Sequence, residues 1–265
     1  MSFTPIIAEA IENDEPVTID GFTLYPIQVR QYRQFAAVQS ALLIRQGSLP
    51  VDYAARSYLG ALYALDIDAY KDSGQALGLT NGILTILALA MRFPADAFAR
   101  QTSIHVRDDD ERELVSIQIR TGDMILPLTP AVFDRLRPVI AAQNGLELPD
   151  ETENADLVEA ENDISSQGAG SLNIDFDTLL ASVARDQHCR RSDLMDYTIR
   201  EFFALRDAIQ RDKMFTLYKM AELNGTKFTK GNPWPSWCYD SKAQSNALIS
   251  MAQFMAGPGS AATMK

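Results

Sequence analysis

Between Leu146 and Ser171 the chain reads LELPDETENADLVEAENDISSQGAGS. This stretch has no aromatic residue and ends in Ser, Gln and Gly, and residues 146–172 carry eight acids and no base. It cannot bury enough apolar surface to offset the entropy of ordering it, so it is predicted to be a flexible linker. That constrains the fold more than any other feature. The expected organisation is residues 1–145, an acidic linker over 146–172, and residues 173–265.

The charge is unevenly spread. The whole chain has a net charge of −11. Residues 1–145 account for −5, the linker for −8, and residues 173–265 for +2. No block is basic enough to make nucleic acid the expected partner. No apolar run is long enough to span a bilayer; Ile83 to Met91 reads as a buried helix. MSFTPIIAEAIENDEP has no basic opening and does not read as a secretion signal. Cys189 and Cys238 make neither a disulfide framework nor a metal spacing, so a reducing compartment is expected.

Periodicity makes the first block helices beside small β-hairpins. Thr4 and Pro5 open a short helix. In PVTIDGFTLYPI, Asp20-Gly21 supplies a hairpin turn whose two central residues need positive φ. Tyr32, Phe35, Val38, Leu42 and Leu43 draw one helical stripe, with Gly47 as its stop. Tyr58, Leu59, Leu62 and Leu65 draw a second. NGILTILALAMRFP is apolar nearly all round and reads as a central helix ended by Pro94.

The period then changes. Ile104 and Val106, then Val115, Ile117 and Ile119, then Ile125 alternate as an antiparallel meander with connections at Asp108–Glu113 and Thr121–Asp123. A last helix runs from Thr129-Pro130 to Asn144-Gly145. Residues 173–265 read as all-helical. One helix carries Phe176, Leu179, Leu180 and Val183. A long one runs from a Ser192 cap to Asn224-Gly225, about 45 Å at about 1.5 Å per residue. A short one, AQSNALISMAQFMA, precedes a fraying tail. The expected class is mainly α with small antiparallel hairpins or a meander: an α+β N-terminal domain and an all-α C-terminal one.

Chemistry-bearing patterns are few. His105 lies in a strand, and His188 points about 100° away from Cys189 on a helix, too far round to serve it as a base. Asp108 and Asp110 in RDDDERE suit a hard cation, but the loop lacks the glycine and closing glutamate of an EF-hand; a solvated turn is the plainer reading. There is no phosphate-binding glycine loop, nucleophile elbow or HExxH. The expectation is a non-enzymatic protein with no cofactor and no metal.

The segment KGNPWPSW, Lys230 to Trp237, holds both tryptophans. Pro233 and Pro235 push Asn232 and Trp234 into extended backbone, and Lys230-Gly231 turns the chain into the segment. Three residues per turn would put Trp234 and Trp237 on one side. The expected site is Phe228, Lys230, Asn232, Pro233, Trp234, Pro235, Trp237 and Tyr239. It serves either as a clip closing a small core or as an aromatic anchor for a partner.

The run from FDTLLASVA through RRSDLMDYTIREFFALRDAIQRDKMFTLYKMAELNGTKFTKGNPWPSWCYD resembles the C-terminal half of tail assembly chaperones encoded by phages and prophages of Gram-positive bacteria. In that pattern two helices, the second long and charged, lead into KGGNPxPSW and an aromatic–Asp pair. The matching residues here are Lys230, Gly231, Asn232, Pro233, Pro235, Ser236, Trp237, Tyr239 and Asp240; one glycine of the pair is absent. FTLYPIQVRQYRQFAAVQSALLIRQGSLPVDYA is similar to the N-terminal part, where PIxVxxY leads into a helix. The meander over 103–128 has no place in the pattern.

The resemblance implies a non-enzymatic protein of the host cytoplasm, absent from the finished virion. It would bind the tape measure protein and keep it soluble during tail assembly, and a frameshifted longer form belongs to the same implication. Met214, Met220, Met251 and Met255 suit an adaptable contact surface, although core filling is the plainer use of methionine. The alternative is a structural tail, baseplate or connector subunit retained in the particle. Neither nucleic acid nor membrane is an expected partner, and self-association stays open.

Overall fold

The computed structural model describes residues 3–151, 175–229 and 231–238. Eleven α-helices lie among them, with antiparallel sheets of two and three strands. The chain divides into two compact units, Met1–Phe203 and Ala204–Lys265. The sequence places its boundary in the acidic stretch; the packing places the division at Phe203/Ala204. Residues 152–174, most of the expected linker, lie outside the described residues, as do the expected short helix after residue 240 and the tail.

The first unit opens with α1 (Pro5–Glu12), started by Thr4 and Pro5 as expected. The hairpin β1 (Val17–Ile19) and β2 (Phe22–Leu24) follows. Asp20 and Gly21 take φ of 51° and 84°, the left-handed pair that this tight turn requires.

The helix expected from the Tyr32–Leu43 stripe, with its stop at Gly47, is broken. A 3-10 turn at Val29–Gln31 leads into α2 (Tyr32–Val38), and α3 (Ser40–Leu43) follows after Gln39. A side chain from far along the sequence meets the exposed carbonyls of α3, in place of a glycine cap. Arg137 Nε and Nη2 donate to Leu42 O at 3.0 and 2.9 Å. Its guanidinium carbon lies 3.5 Å from the centroid of the Tyr58 ring. The Tyr58 hydroxyl in turn donates to Ala41 O at 2.7 Å.

The short α4 (Val51–Ala54) precedes α5 (Tyr58–Ser73), capped by Ser57. Next is α6 (Leu79–Ala90), the expected central helix, with eight of its residues buried. Its start is capped from α5: the Asp66 carboxylate accepts from Leu79 N–H at 3.1 Å and Thr80 N–H at 2.7 Å. This buried acid satisfies two donors that a helix N-terminus leaves open.

After α7 (Ala95–Arg100) the sheet β3 (Thr102–Arg107), β4 (Asp110–Thr121) and β5 (Met124–Leu128) runs in that spatial order. One face packs on α5. The strict alternation read from the sequence is interrupted. His105 pairs with Ser116, but Val106 pairs with Leu114, so Val115 is an extra residue in a β-bulge. Leu114 therefore joins Ile117 and Ile119 in the core, while Val115 is 51% exposed. On β5, Ile125 points outward and Leu128 is buried.

The first unit closes with α8 (Pro130–Gln143), α9 (Phe176–Asp186), α10 (Arg191–Leu194) and the start of α11 (Ile199–Leu223). Asn144-Gly145 ends α8 as expected, with Gly145 at φ 68°. Residues 175–203 belong to this unit. Val29 N–H donates to Tyr197 O and Ile199 N–H to Ile27 O, both at 2.9 Å, around a bridge between Gln28 and Thr198. Tyr32 stacks on Phe176 at 4.3 Å and meets Phe203 edge-on at 5.5 Å, and Phe202 is fully buried beside them. Arg30 pairs with Asp196 and Arg33 with Asp177. Arg200 reaches Asp14 at 3.0 Å.

The long helix is shorter than predicted, because Met195–Thr198 interrupt it. A reciprocal cap starts α11: Thr198 Oγ1 accepts from Glu201 N–H at 3.0 Å, and Glu201 Oε2 accepts from Thr198 N–H at 2.9 Å.

Candidate functional site

The second unit contains the later part of α11 and the loop through Cys238. Gly225, at φ 87°, stops the helix where Asn224-Gly225 was expected to. Phe228 and Trp234 both return to one side chain of the helix, Tyr218. The Tyr218 and Phe228 centroids are 5.6 Å apart. Tyr218 and Trp234 lie nearly parallel, 6.5 Å apart with 6° between planes. Offset aromatic pairs of this spacing contribute beyond simple burial.

Asn232 sets the entry to the Pro/Trp run. Its Oδ1 accepts from Trp234 N–H at 2.8 Å, a local turn that leaves Pro233 exposed at its corner. Glu222 on the helix ties the loop down further. Hydrogen bonds from Lys219, then from the Asn232 side chain, hold its carboxyl below the usual range. Gly231 takes φ 82°, the turn expected there. Pro235 is exposed.

The two tryptophans do not share an environment. Trp234 is half-buried against Tyr218, whereas Trp237 is 66% exposed. The expectation of one shared side assumed an unbroken threefold extended run, and the Asn232 turn lies at its start. Phe228, Asn232 and Trp234 are thus brought together on the helix, while Pro233, Pro235 and Trp237 face outward. Lys230 and Tyr239 lie outside the described residues.

The helix adds residues that the site prediction omitted. Leu217, Met220 and Leu223 are 60%, 56% and 79% exposed. Their spacing of three puts them along one side of the helix. The same spacing is visible in the sequence, on a helix long and amphipathic enough to need a partner surface. It does not say whether the stripe is covered within the chain.

Among the described residues, every carboxylate of RDDDERE except that of Asp108 pairs with a cation. Arg107 pairs with Asp109 at 2.6 Å and with Glu113 at 2.5 Å. Arg112 crosses to Asp68 of α5 at 2.7 Å, and Tyr53 donates to the same carboxylate oxygen at 2.7 Å. That hydrogen bond, with burial, raises the Tyr53 phenol above its ordinary range. Among the described residues no group of three or more His, Cys, Asp or Glu side chains is placed to hold a metal ion. No helix among them is long and apolar enough to cross a membrane.

No protein family, curated protein or solved structure matches this chain.

Proposed function

We propose that this protein is a non-enzymatic tail assembly chaperone of phage or prophage origin that binds a tape measure protein and holds it soluble in the host cytoplasm. The observation that carries this reading is the exposed row Leu217, Met220 and Leu223 on a helix whose loop also exposes Trp237. A row at helical spacing suits the apolar stripe of another helix, and an exposed tryptophan is a frequent anchor at such contacts. The resemblance of the Pro/Trp loop supplies the identity of the client. The contacts of Phe228, Asn232 and Trp234 support a division of labour within the loop, in which these residues hold it and Trp237 reaches the client.

The test is co-expression with the tape measure protein of the same genome, followed by size-exclusion chromatography. The client should be soluble and co-elute only when this chain is present. A client that stays insoluble, or is soluble unaided and never co-elutes, overturns the proposal. Mass spectrometry of purified particles is the second arm. Presence in fixed stoichiometry would replace the chaperone with a tail, baseplate or connector subunit.

A further inference from the structure

The three-stranded sheet has β3 at one edge and β5 at the other, and the two edges differ. On β5, Pro127 stands opposite Gln118 and removes one backbone donor, a common way of blunting an edge. The edge formed by β3 has no such protection. Ser103, Ile104 and His105 are all exposed. Among the described residues, the backbone of 103–107 makes no hydrogen bond beyond its pairing with β4. A row of unpaired amides and carbonyls of this kind is a template for an added strand.

The two faces beside that edge have different chemistry. Ser103 pairs with Gln118, and Arg120, two residues further along β4, shares the face of Gln118. These residues line a groove of about 380 Å³ together with Arg100 and Thr102. Among the described residues Arg120 and Arg100 line it and no carboxylate does, in a chain with 35 acids against 24 lysines and arginines. The Arg120 guanidinium makes no hydrogen bond or ion pair among the described residues. On the other face, Ile104 pairs with the fully buried Ile117 and extends the core row into solvent.

The geometry points to β3 as a docking edge for an extended acidic peptide segment of a partner protein. Its backbone pairs with 103–107, its acidic side chains enter the Arg120 groove, and its alternate apolar side chains cover Ile104. Period two along the peptide makes the two requirements compatible, because successive side chains face opposite sides. Charge selects the occupant: the groove favours carboxylates and repels lysines. The surface belongs to the first unit and does not depend on the tryptophan loop.

The experiment titrates the full chain with a blocked hexapeptide of sequence Glu-Val-Glu-Val-Glu-Val, followed by amide NMR and hydrogen exchange. Saturable shifts and slowed exchange at 103–107 are expected. The Lys-Val counterpart should not bind, and N-methylation of alternate peptide amides should abolish binding. Arg120→Glu should weaken the Glu-Val peptide about tenfold or more, as loss of a charge-assisted hydrogen bond does. Its side chain has no hydrogen-bond or ion-pair partner among the described residues, so folding should survive, and an unchanged amide spectrum checks this. No binding at millimolar peptide, or equal binding to wild type and Arg120→Glu, overturns the proposal. So does concentration-dependent protection of 103–107 without peptide, because the occupant is then a second copy of this chain.

Discussion

Trp234 lies parallel to Tyr218, with centroids 6.5 Å apart, while Trp237, three residues later, stays in solvent. The two tryptophans should therefore fail differently. Trp234→Ala removes a half-buried ring and the stack on the helix. It should destabilise the second unit by about 2 kcal/mol, below the 3–5 typical of a fully buried aromatic. Trp237→Ala should stay within about 0.5 kcal/mol of wild type. Hydrogen exchange over 204–223 reads both, and equal protection in the two variants would contradict the division.

The exposed row on α11 gives the complementary prediction. Met220→Asp and Leu223→Asp sit on a solvent-facing side, so neither should change the melting temperature by more than a degree or two. Each should lose co-elution with the tape measure protein, because a charge placed in an apolar contact is left unpaired. Loss of melting stability in parallel with loss of the client would mean that the row is covered within this chain.

What the sequence made legible was local. Asp20-Gly21, Thr129-Pro130 and Asn144-Gly145 each act within a few residues, and the structure uses all three as read. Thr198-x-x-Glu201 was equally local and readable as a reciprocal cap, but the helix read from the Ser192 cap to Asn224-Gly225 runs straight through it. The rest depends on distant partners. Asp66 caps α6 from another helix, Arg137 meets α3 from 95 residues away, and Ile27 pairs with Ile199 across the acidic stretch. No window of sequence shows these. In the candidate site the tryptophans and the turn were legible. Tyr218, the surface on which two of the rings converge, was not, because nothing in a helical stripe marks which residue a later loop will use.

The bulge at Val115 is open to a direct check. Strict alternation buries Val115 and exposes Leu114; the register found here does the reverse. Leu114→Ala should cost about 2–3 kcal/mol and Val115→Ala less than about 0.5. Chemical denaturation of both variants decides between the two registers, and a larger loss at Val115 would exclude the bulge.

Tyr32 joins residues 175–203 to the rest of the unit through Phe176 and Phe203, both of which pack on the fully buried Phe202, with surface ion pairs adding little. Phe202→Ala should cost about 3–5 kcal/mol. Arg33→Ala, which loses an exposed pair with Asp177, should cost less than about 1 kcal/mol. Exchange of the Val29 and Ile199 amides should accelerate in the first variant and not in the second. Unchanged exchange in Phe202→Ala would show that the aromatic cluster does not hold the segment.

Alkaline unfolding should report on Tyr58. Burial raises its phenol to about 12 from an ordinary value of 10.0, although the Arg137 guanidinium over the ring opposes the rise. Below pH 10 both folded and unfolded chains keep the proton, and its contribution to stability is fully present. Between pH 10 and 12 the unfolded chain loses the proton first, so stability falls as pH rises. The loss reaches about 2–3 kcal/mol by pH 12 and about half of that by pH 11. Tyr58→Phe has no proton to lose. It should cost about 1 kcal/mol at pH 8, through the hydrogen bond to Ala41 O, and then show a shallower fall between pH 9 and 11. Denaturant midpoints across that range test this, and parallel curves for the two proteins would remove Tyr58 as the source of the alkaline loss.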